Sequence, residues 1–207
     1  MPRQNRVTPF GNVIAHSARG LVFGNRGCLH DEQGVLRRRH DGRLWIACRL
    51  SFKGRRRELM QLGRYTELFF LDEATALAAG HRPCAECRRG DYNRFVASWP
   101  GALTGRSRAT AINNQLHAER LTEDGRQRHH DGVWDDLPDG AFVVRDDAPW
   151  LVRGETLLRW TPSGYTAVLS RPAGTGARVV TPPSLVEVLR RGWQPTAVPL
   201  FHPSARR

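Results

Sequence analysis

The sequence predicts an α+β fold, in which a small cysteine-knuckle domain is followed by a small antiparallel sheet with one or two helices. Three observations predict it. An alanine-rich helical segment leads into a C-x-x-C pair, the apolar runs are short, and those after residue 137 recur about every ten residues between turn signals. The length of 207 residues fits one domain or two small ones, and a hydrophobic content of 40% is not that of a disordered chain.

The first half is predicted to begin with extended segments. Residues 1–35 are rich in Gly, Arg and Asn and have little periodicity, which is typical of short extended segments and turns. Residues 43–52 are apolar and partly alternating, and residues 66–71 form a second apolar run. Both runs are predicted to be strands.

Two helices are predicted around the cysteine pair. Asp72 is suited to cap the start of an alanine-rich helix, and Gly80 is suited to end it in the left-handed conformation. Residues 88–99 predict a second helix, because their aromatic residues recur at helical spacing. That stripe consists of Tyr92, Phe95 and Trp99.

Residues 100–108 contain Pro and Gly and mark the predicted boundary between a domain over 1–100 and a domain over 109–207. The second domain is predicted to contain a short helix near its start, then the antiparallel sheet, and then a helix over 181–192. Thr181 or Ser184 could cap the start of this last helix, Gly192 could cap its end, and the proline-rich tail is expected to be irregular.

The net charge of +12 favours contact with a polyanion. All of the basic residues except Lys53 are arginine. No apolar run approaches the roughly 18 residues that a membrane span needs, and the first residues contain no apolar core like that of a signal peptide. We therefore expect a cytoplasmic protein without a membrane partner, whose four cysteines are thiols or metal ligands rather than disulfides.

Cys84 and Cys87 follow the first predicted helix directly. A redox pair normally opens a helix, whereas a turn after a helix favours a knuckle that presents two thiolates to one zinc ion. Zinc takes four ligands, and Cys48 and Cys28 complete a set of four cysteines. His30 competes with Cys28, because two residues spaced by two in an extended segment point to the same side.

The segment FFLDEATALAAGHRPCAEC, residues 69–87, resembles the end of the Ada-like metal-binding domain, the zinc module of a bacterial alkylation-repair protein that accepts methyl groups from phosphotriesters. The resemblance implies a zinc-knuckle domain with a four-cysteine site, in which Cys84 and Cys87 are the second pair. The first pair departs from that pattern, since Cys28 and Cys48 are twenty positions apart. Related modules appended to nucleases use a histidine shortly before a cysteine, and the segment GNRGCLH is partly similar to them.

Two basic clusters flank the proposed zinc site and are candidates for contact with phosphates. The candidate residues are Arg55, Arg56, Arg57, Arg88 and Arg89. With the charge and the resemblance, they predict a zinc-binding protein that contacts nucleic acid, DNA rather than RNA, in a repair-type or other accessory role. Two alternatives stay open: an enzyme acting on nucleic acid, as a thiolate methyl acceptor or a zinc hydrolase, and a protein-interaction module in which zinc is structural. The sequence favours a binding protein over an enzyme.

Overall fold

The structure is a computed structural model that describes residues 1–55, 58–104 and 107–206. In these ranges the chain forms two six-stranded sheets and four α-helices, so the predicted α+β class is confirmed. The first sheet contains β1 (Gln4–Val7), β2 (Val13–Ala15), β3 (Val22–Asn25), β4 (Ile46–Cys48), β5 (Leu68–Phe70) and β6 (Arg82–Pro83). The second contains β7 (His130–Val133), β8 (Phe142–Arg145), β9 (Ala148–Arg153), β10 (Thr156–Thr161), β11 (Gly164–Ser170) and β12 (Thr175–Val179). The helices are α1 (Glu73–Ala78), α2 (Arg89–Ala97), α3 (Arg108–Arg120) and α4 (Pro183–Arg190).

The first sheet has the strand order β2-β1-β5-β3-β4-β6 and mixes parallel with antiparallel pairs. Strand β3 runs antiparallel to β4, with Phe23 opposite Cys48. Strand β4 runs parallel to the two-residue strand β6, with Ala47 opposite Pro83. This pairing brings the turn that follows β6 beside the end of β4.

The second sheet, in the order β11-β10-β9-β8-β12-β7, is antiparallel throughout, as the sequence predicts. Its hairpins follow the turn signals between the apolar runs. One hairpin turns at Asp146 and Asp147, both with positive φ, a conformation that Asp adopts more readily than most residues. The edge strand β7 and its neighbour β12 lie outside the predicted runs.

Helix α1 begins and ends where the sequence predicts. The Asp72 side chain accepts a hydrogen bond from the Thr75 backbone N–H at 2.9 Å, which caps the helix. Gly80 has φ +78°, so it supplies the left-handed residue that follows the helix end. The His81 N–H returns to the carbonyl of Ala76, and the chain then enters β6.

Helix α2 buries the predicted aromatic stripe against residues from both halves of the chain. Phe95 is fully buried, and Trp193 packs against it edge-on with ring centroids 5.5 Å apart. The same apolar cluster contains Ile112 and Leu116 of α3 and Leu185 of α4. The first sheet lies within residues 4–83 and the second within residues 130–179, while this apolar cluster contains residues from both sides of 100–108.

Helix α4 lies within the predicted range, but neither predicted residue caps its start. The residue that precedes the helix is Pro182, which forms no side-chain cap. The hydroxyl of Thr181 instead accepts from the Phe142 N–H, and that of Ser184 bonds to Glu119. Both hydroxyls join the helix to neighbouring elements. None of the helices in the described ranges combines the length and the apolarity that crossing a membrane requires.

Candidate metal centre

Three cysteines meet where β4 and β6 end side by side. The backbone N–H of Cys84 donates to the carbonyl of Ala47 at 2.9 Å, which extends the parallel pairing by one residue. This bond places Cys84 beside Cys48, and the tight turn after it returns Cys87 to the same point. The sulfur atoms of Cys48, Cys84 and Cys87 all lie within 4.8 Å of one another. The predicted association of these three cysteines is confirmed.

The surroundings of the sulfur atoms shift the pKa values of Cys84 and Cys48 in opposite directions. Contacts with the sulfur atoms of Cys48 and Cys87 lower the pKa of Cys84, and backbone N–H groups of Cys87 and Glu86 lower it further. The same sulfur contacts, together with burial, raise the pKa of Cys48. Of the three thiols, Cys84 is therefore the one whose ionised form these contacts favour. A bound cation stabilises all three thiolates at once, and soft thiolate ligands suit zinc.

Neither candidate for the fourth ligand joins the three cysteines. The Cys28 sulfur lies 3.7 Å from the carbonyl oxygen of His30, and it is absent from the cluster that contains Cys48. His30 is buried, and its Nδ1 and Nε2 face Thr66 Oγ1 at 2.6 Å and Gln61 O at 3.2 Å. The structure therefore does not bring Cys28, or His30 as its alternative, into the three-cysteine cluster.

Strand register explains the position of Cys28. Phe23, not Cys28, lies opposite Cys48 in the β3–β4 pair. Cys28 is five residues further along, about 16 Å away if the chain were extended, and the two strands run in opposite directions. Gly27, with φ +98°, then turns the chain out of the sheet, and its position is crowded by the backbone of Asp41.

The three cysteines line one side of a pocket of about 260 Å³. In the described ranges no further His, Cys, Asp or Glu atom completes a four-membered cluster with their sulfur atoms. The cluster thus offers three ligand atoms from the described residues. The lining also contains four aromatic residues, Phe23, Phe52, Tyr65 and Phe69, which we call the aromatic wall. The charged lining residues are the exposed Arg49, Arg55 and Glu86 and the buried Glu67.

Sequence reasoning missed this aromatic wall. The signal lies in the period of two along β3, which puts Phe23 and Asn25 on one face of the sheet. That face can be assigned to the pocket only when the register with β4 is known. Phe69, next to Phe23 in the sheet, packs against it edge-on with centroids 5.8 Å apart.

Arg88 is not a surface residue, and its prediction as a phosphate contact is wrong. Its side chain is fully buried and lies 2.8 Å from a Glu73 carboxylate oxygen and 3.0 Å from one of Asp91. It also donates to the carbonyl of Ala47 at 3.3 Å. Arg88 thus joins the cysteine turn to the first turn of α1 and to α2, and it has a structural role in positioning the thiolates.

Two of the other candidate arginines are exposed. Arg55 lines the pocket, where it pairs with Glu86 at 2.8 Å and stacks on Phe52 with 5.4 Å to the ring centroid. Arg89 is the first residue of α2 and is exposed. Both remain predictions as phosphate contacts. Arg56 and Arg57 lie outside the described residues.

Taken together, fold and site define an α+β protein with a preformed three-cysteine cluster that opens into an aromatic pocket. Comparison with protein-family models, with curated proteins and with solved structures found no match to this chain. The arrangement of its own residues therefore carries the functional argument.

Proposed function

We propose that this chain is a zinc protein, with the ion held by Cys48, Cys84 and Cys87. The observation that carries the proposal is the convergence of three sulfur atoms within 4.8 Å. Zinc–sulfur bonds of about 2.3 Å in a tetrahedral arrangement separate the sulfur atoms by about 3.8 Å, so small side-chain rotations suffice. All four cysteines are free thiols, which fits a reducing compartment such as the cytoplasm.

The fourth position of this ion faces the pocket. A water molecule or a bound partner can fill it. The resemblance of residues 69–87 to the Ada-like zinc module supports a knuckle at Cys84 and Cys87. The register of Cys48 and Cys28 sets this chain apart from a closed four-cysteine site.

We further propose that the protein contacts nucleic acid, DNA rather than RNA, in a repair-type or other accessory role. The net charge of +12 supports this proposal, together with the exposed Arg89 and with Arg55 beside the cysteine pocket. Phosphate contacts of this kind release counterions, so affinity falls steeply as salt rises.

Metal analysis tests the first proposal. The protein is expressed in zinc-containing medium, and its zinc content and X-ray absorption spectrum are measured. We expect one zinc per chain, with sulfur ligands at about 2.3 Å. The variant Cys84→Ser should lose the ion, whereas the matched control Cys28→Ser should keep it. Equal loss in both variants, or no metal in the wild type, would show that the proposed ligand set is wrong.

Fluorescence anisotropy with a labelled DNA duplex over a range of salt concentrations tests the second proposal. We expect log affinity to fall linearly with log salt, and the variant Arg89→Ala to reduce that slope by about one if Arg89 contacts a phosphate. Binding at low salt no stronger than that of a neutral protein would rule out nucleic-acid contact.

A second candidate function, an enzyme, is favoured by the open fourth position over a pocket. A hydrolytic zinc ion needs such a position. A methyl acceptor needs an exposed thiolate, and Cys87 is the most exposed of the three cysteines. In that reaction the sulfur forms a bond to the methyl carbon, the methyl–oxygen bond of a phosphotriester breaks, and a phosphodiester anion leaves.

Mass spectrometry after incubation with methylated DNA distinguishes these possibilities. A one-methyl mass gain on Cys87 supports the acceptor. No gain on any cysteine, in a protein that holds its zinc and binds DNA, excludes the acceptor and leaves the binding protein as the proposed function.

A further inference from the structure

Two arginines are buried on the other face of the first sheet without a carboxylate partner. Arg26 and Arg120 are 2% and 1% exposed. Their guanidinium carbons lie 4.7 Å and 3.7 Å from the ring centroid of Trp45, so both stack on that ring. The cavity that they line shares no residue with the cysteine pocket.

The hydrogen-bond partners of these arginines are neutral. Arg26 Nη2 donates to the carbonyl of Gly11 at 2.8 Å. Arg120 donates to the carbonyls of Gly80 and Arg43, both at 2.9 Å. The Nε of each arginine is buried and has no acceptor. Within the described ranges, no negative charge offsets the burial of either guanidinium.

Burying the positive charges of Arg26 and Arg120 is energetically unfavourable unless an anion lies nearby. Burial, with the nearby charge of Arg39, lowers the pKa of Arg26 to about 9, and burial with the charges of Arg26 and Arg82 lowers that of Arg120 to about 9. Both side chains are still cationic at neutral pH. Buried charges are normally paired, so two unpaired guanidinium groups on one ring indicate that a counter-charge is supplied from outside the chain.

A small cavity of about 20 Å³ lies between the two buried arginines, next to Arg39 and Gln127. It has room for one water-sized group. Gln127 donates to the carbonyl of Ala78 at 2.7 Å, while its Oε1 is buried without a donor, as expected if a water is held there.

The cavity adjoins two wider depressions of about 370 and 380 Å³, and exposed Arg39 lines all three. Arg126 and Arg178 line the larger depression, where Asp147 is the single acidic residue among the lining residues described. Asp124 pairs with Arg126 at 2.8 Å at the exposed edge. Positive charge thus exceeds negative charge from the surface down to Trp45.

We propose that this cleft, which we call the Arg39 cleft, is a binding site for a phosphate group. The phosphate sits at the mouth beside Arg39 and Arg178, and its charge offsets those of Arg26 and Arg120 beneath. The two parallel N–H groups of an arginine guanidinium match two oxygen atoms of a phosphate. Such charge-assisted hydrogen bonds are stronger than hydrogen bonds between neutral groups. The phosphate group belongs either to a nucleic-acid backbone or to free inorganic phosphate. Only the nucleic-acid alternative rests on the proposed function.

Titration of the zinc-loaded protein with inorganic phosphate at constant ionic strength, followed by calorimetry, tests the proposal. We expect saturable binding at one site, weakened about tenfold or more in Arg39→Ala, since a hydrogen bond to a charged group is lost. The matched control is Arg159→Ala, an exposed arginine of β10 that lines none of the three depressions, which should leave phosphate affinity unchanged. Equal weakening in both variants, or no saturable binding, would overturn the proposal.

Two further measurements separate the alternatives. The Nε–H resonances of Arg26 and Arg120 should shift on addition of phosphate, and their insensitivity would count against the site even if some phosphate binds elsewhere. Competition by a DNA duplex for phosphate identifies a backbone source, whereas phosphate binding without competition identifies free phosphate. DNA binding that is unchanged in Arg39→Ala, with no phosphate binding, would overturn this site and leave the proposed function intact.

Discussion

Replacing Arg88 by methionine tests the buried charge network behind the cysteine turn. The side chains of Arg88 and Glu73 are both 0% exposed and that of Asp91 is 1% exposed, with nitrogen–oxygen distances of 2.8 to 3.0 Å. Methionine fills much of the same volume but leaves the buried carboxylate of Glu73 without its cation, whereas Asp91 keeps its ion pair with Arg94. Removing one partner of a buried ion pair costs about 3–5 kcal/mol. For a chain of this size, about 2–4 °C per kcal/mol gives a fall in Tm of about 6–20 °C.

Thermal and urea unfolding of the zinc-loaded variant measure this effect. The neighbouring variant Arg89→Met is the matched control, because Arg89 is exposed and should change the free energy of unfolding by no more than about 0.5 kcal/mol. Once folded, Arg88→Met should bind DNA as the wild type does. A loss below about 1 kcal/mol, or equal losses in the two variants, would refute the assignment of Arg88 to a buried structural network.

The network also gives a pH dependence with a definite sign. Burial raises the pKa of Glu73, and the charge and hydrogen bonds of Arg88 oppose that rise. Without Arg88, the pKa of Glu73 in the folded state rises further. The ionised carboxylate then destabilises the fold at any pH above the pKa that Glu73 has in the unfolded chain. Protonation of Glu73 removes this destabilisation as the pH falls. The stability difference between wild type and Arg88→Met should therefore shrink from pH 7 to pH 5. A difference that grows over this range would contradict the argument.

Three other outcomes are expected. Gly80→Ala should lower the Tm more than Gly42→Ala does. Both positions have positive φ, but only at Gly80 would a new Cβ lie 2.5 Å from Arg120 Cδ. Equal losses of Tm would show that the side chain of Arg120 moves away from the new Cβ. Phe95→Ala should cost about 3–5 kcal/mol in urea unfolding, against about 0.5 or less for exposed Leu62→Ala, and a loss near 1 kcal/mol would place Phe95 outside the core. Chelation of zinc should lower the Tm of the wild type and leave that of Cys84→Ser unchanged, whereas an equal fall in both would mean that the chelator acts elsewhere.

Local signals are enough to predict helix α1 and two of the three clustered cysteines. The cap at Asp72 depends on a residue three positions away, and Gly80 is identified by the backbone conformation that the helix end requires. Cys84 and Cys87 are likewise predicted from a short stretch of sequence, because they are three positions apart in one turn. Cys48 was predicted because few cysteines were available, and the β4–β6 pair supplies the physical reason for its position.

The errors arise where long-range pairing or one position on a helix decides the outcome. The register that puts Phe23 opposite Cys48 excludes Cys28, and this register is not written in the local pattern. Arg88 and Arg89 look equivalent as a basic pair. Residue 88 nevertheless belongs to the buried stripe with Tyr92 and Phe95, whereas residue 89 is rotated away from it. Applying helical spacing to the charged residues as well would have separated them.

The carboxylate that caps α1 has a wider consequence for how the protein can be dissected. Besides Thr75, Asp72 accepts hydrogen bonds from the hydroxyl of Tyr165 and from the N–H of His202, both at 2.8 Å. A fragment that stops at residue 100 would lack both donors, so the Asp72 carboxylate would be exposed to solvent. The fragment would then have to position its thiolates after a helix that has lost these tertiary hydrogen bonds. We therefore expect that zinc chemistry at this turn can be studied only in a chain that retains Tyr165 and His202, unlike that of a peptide-sized zinc finger.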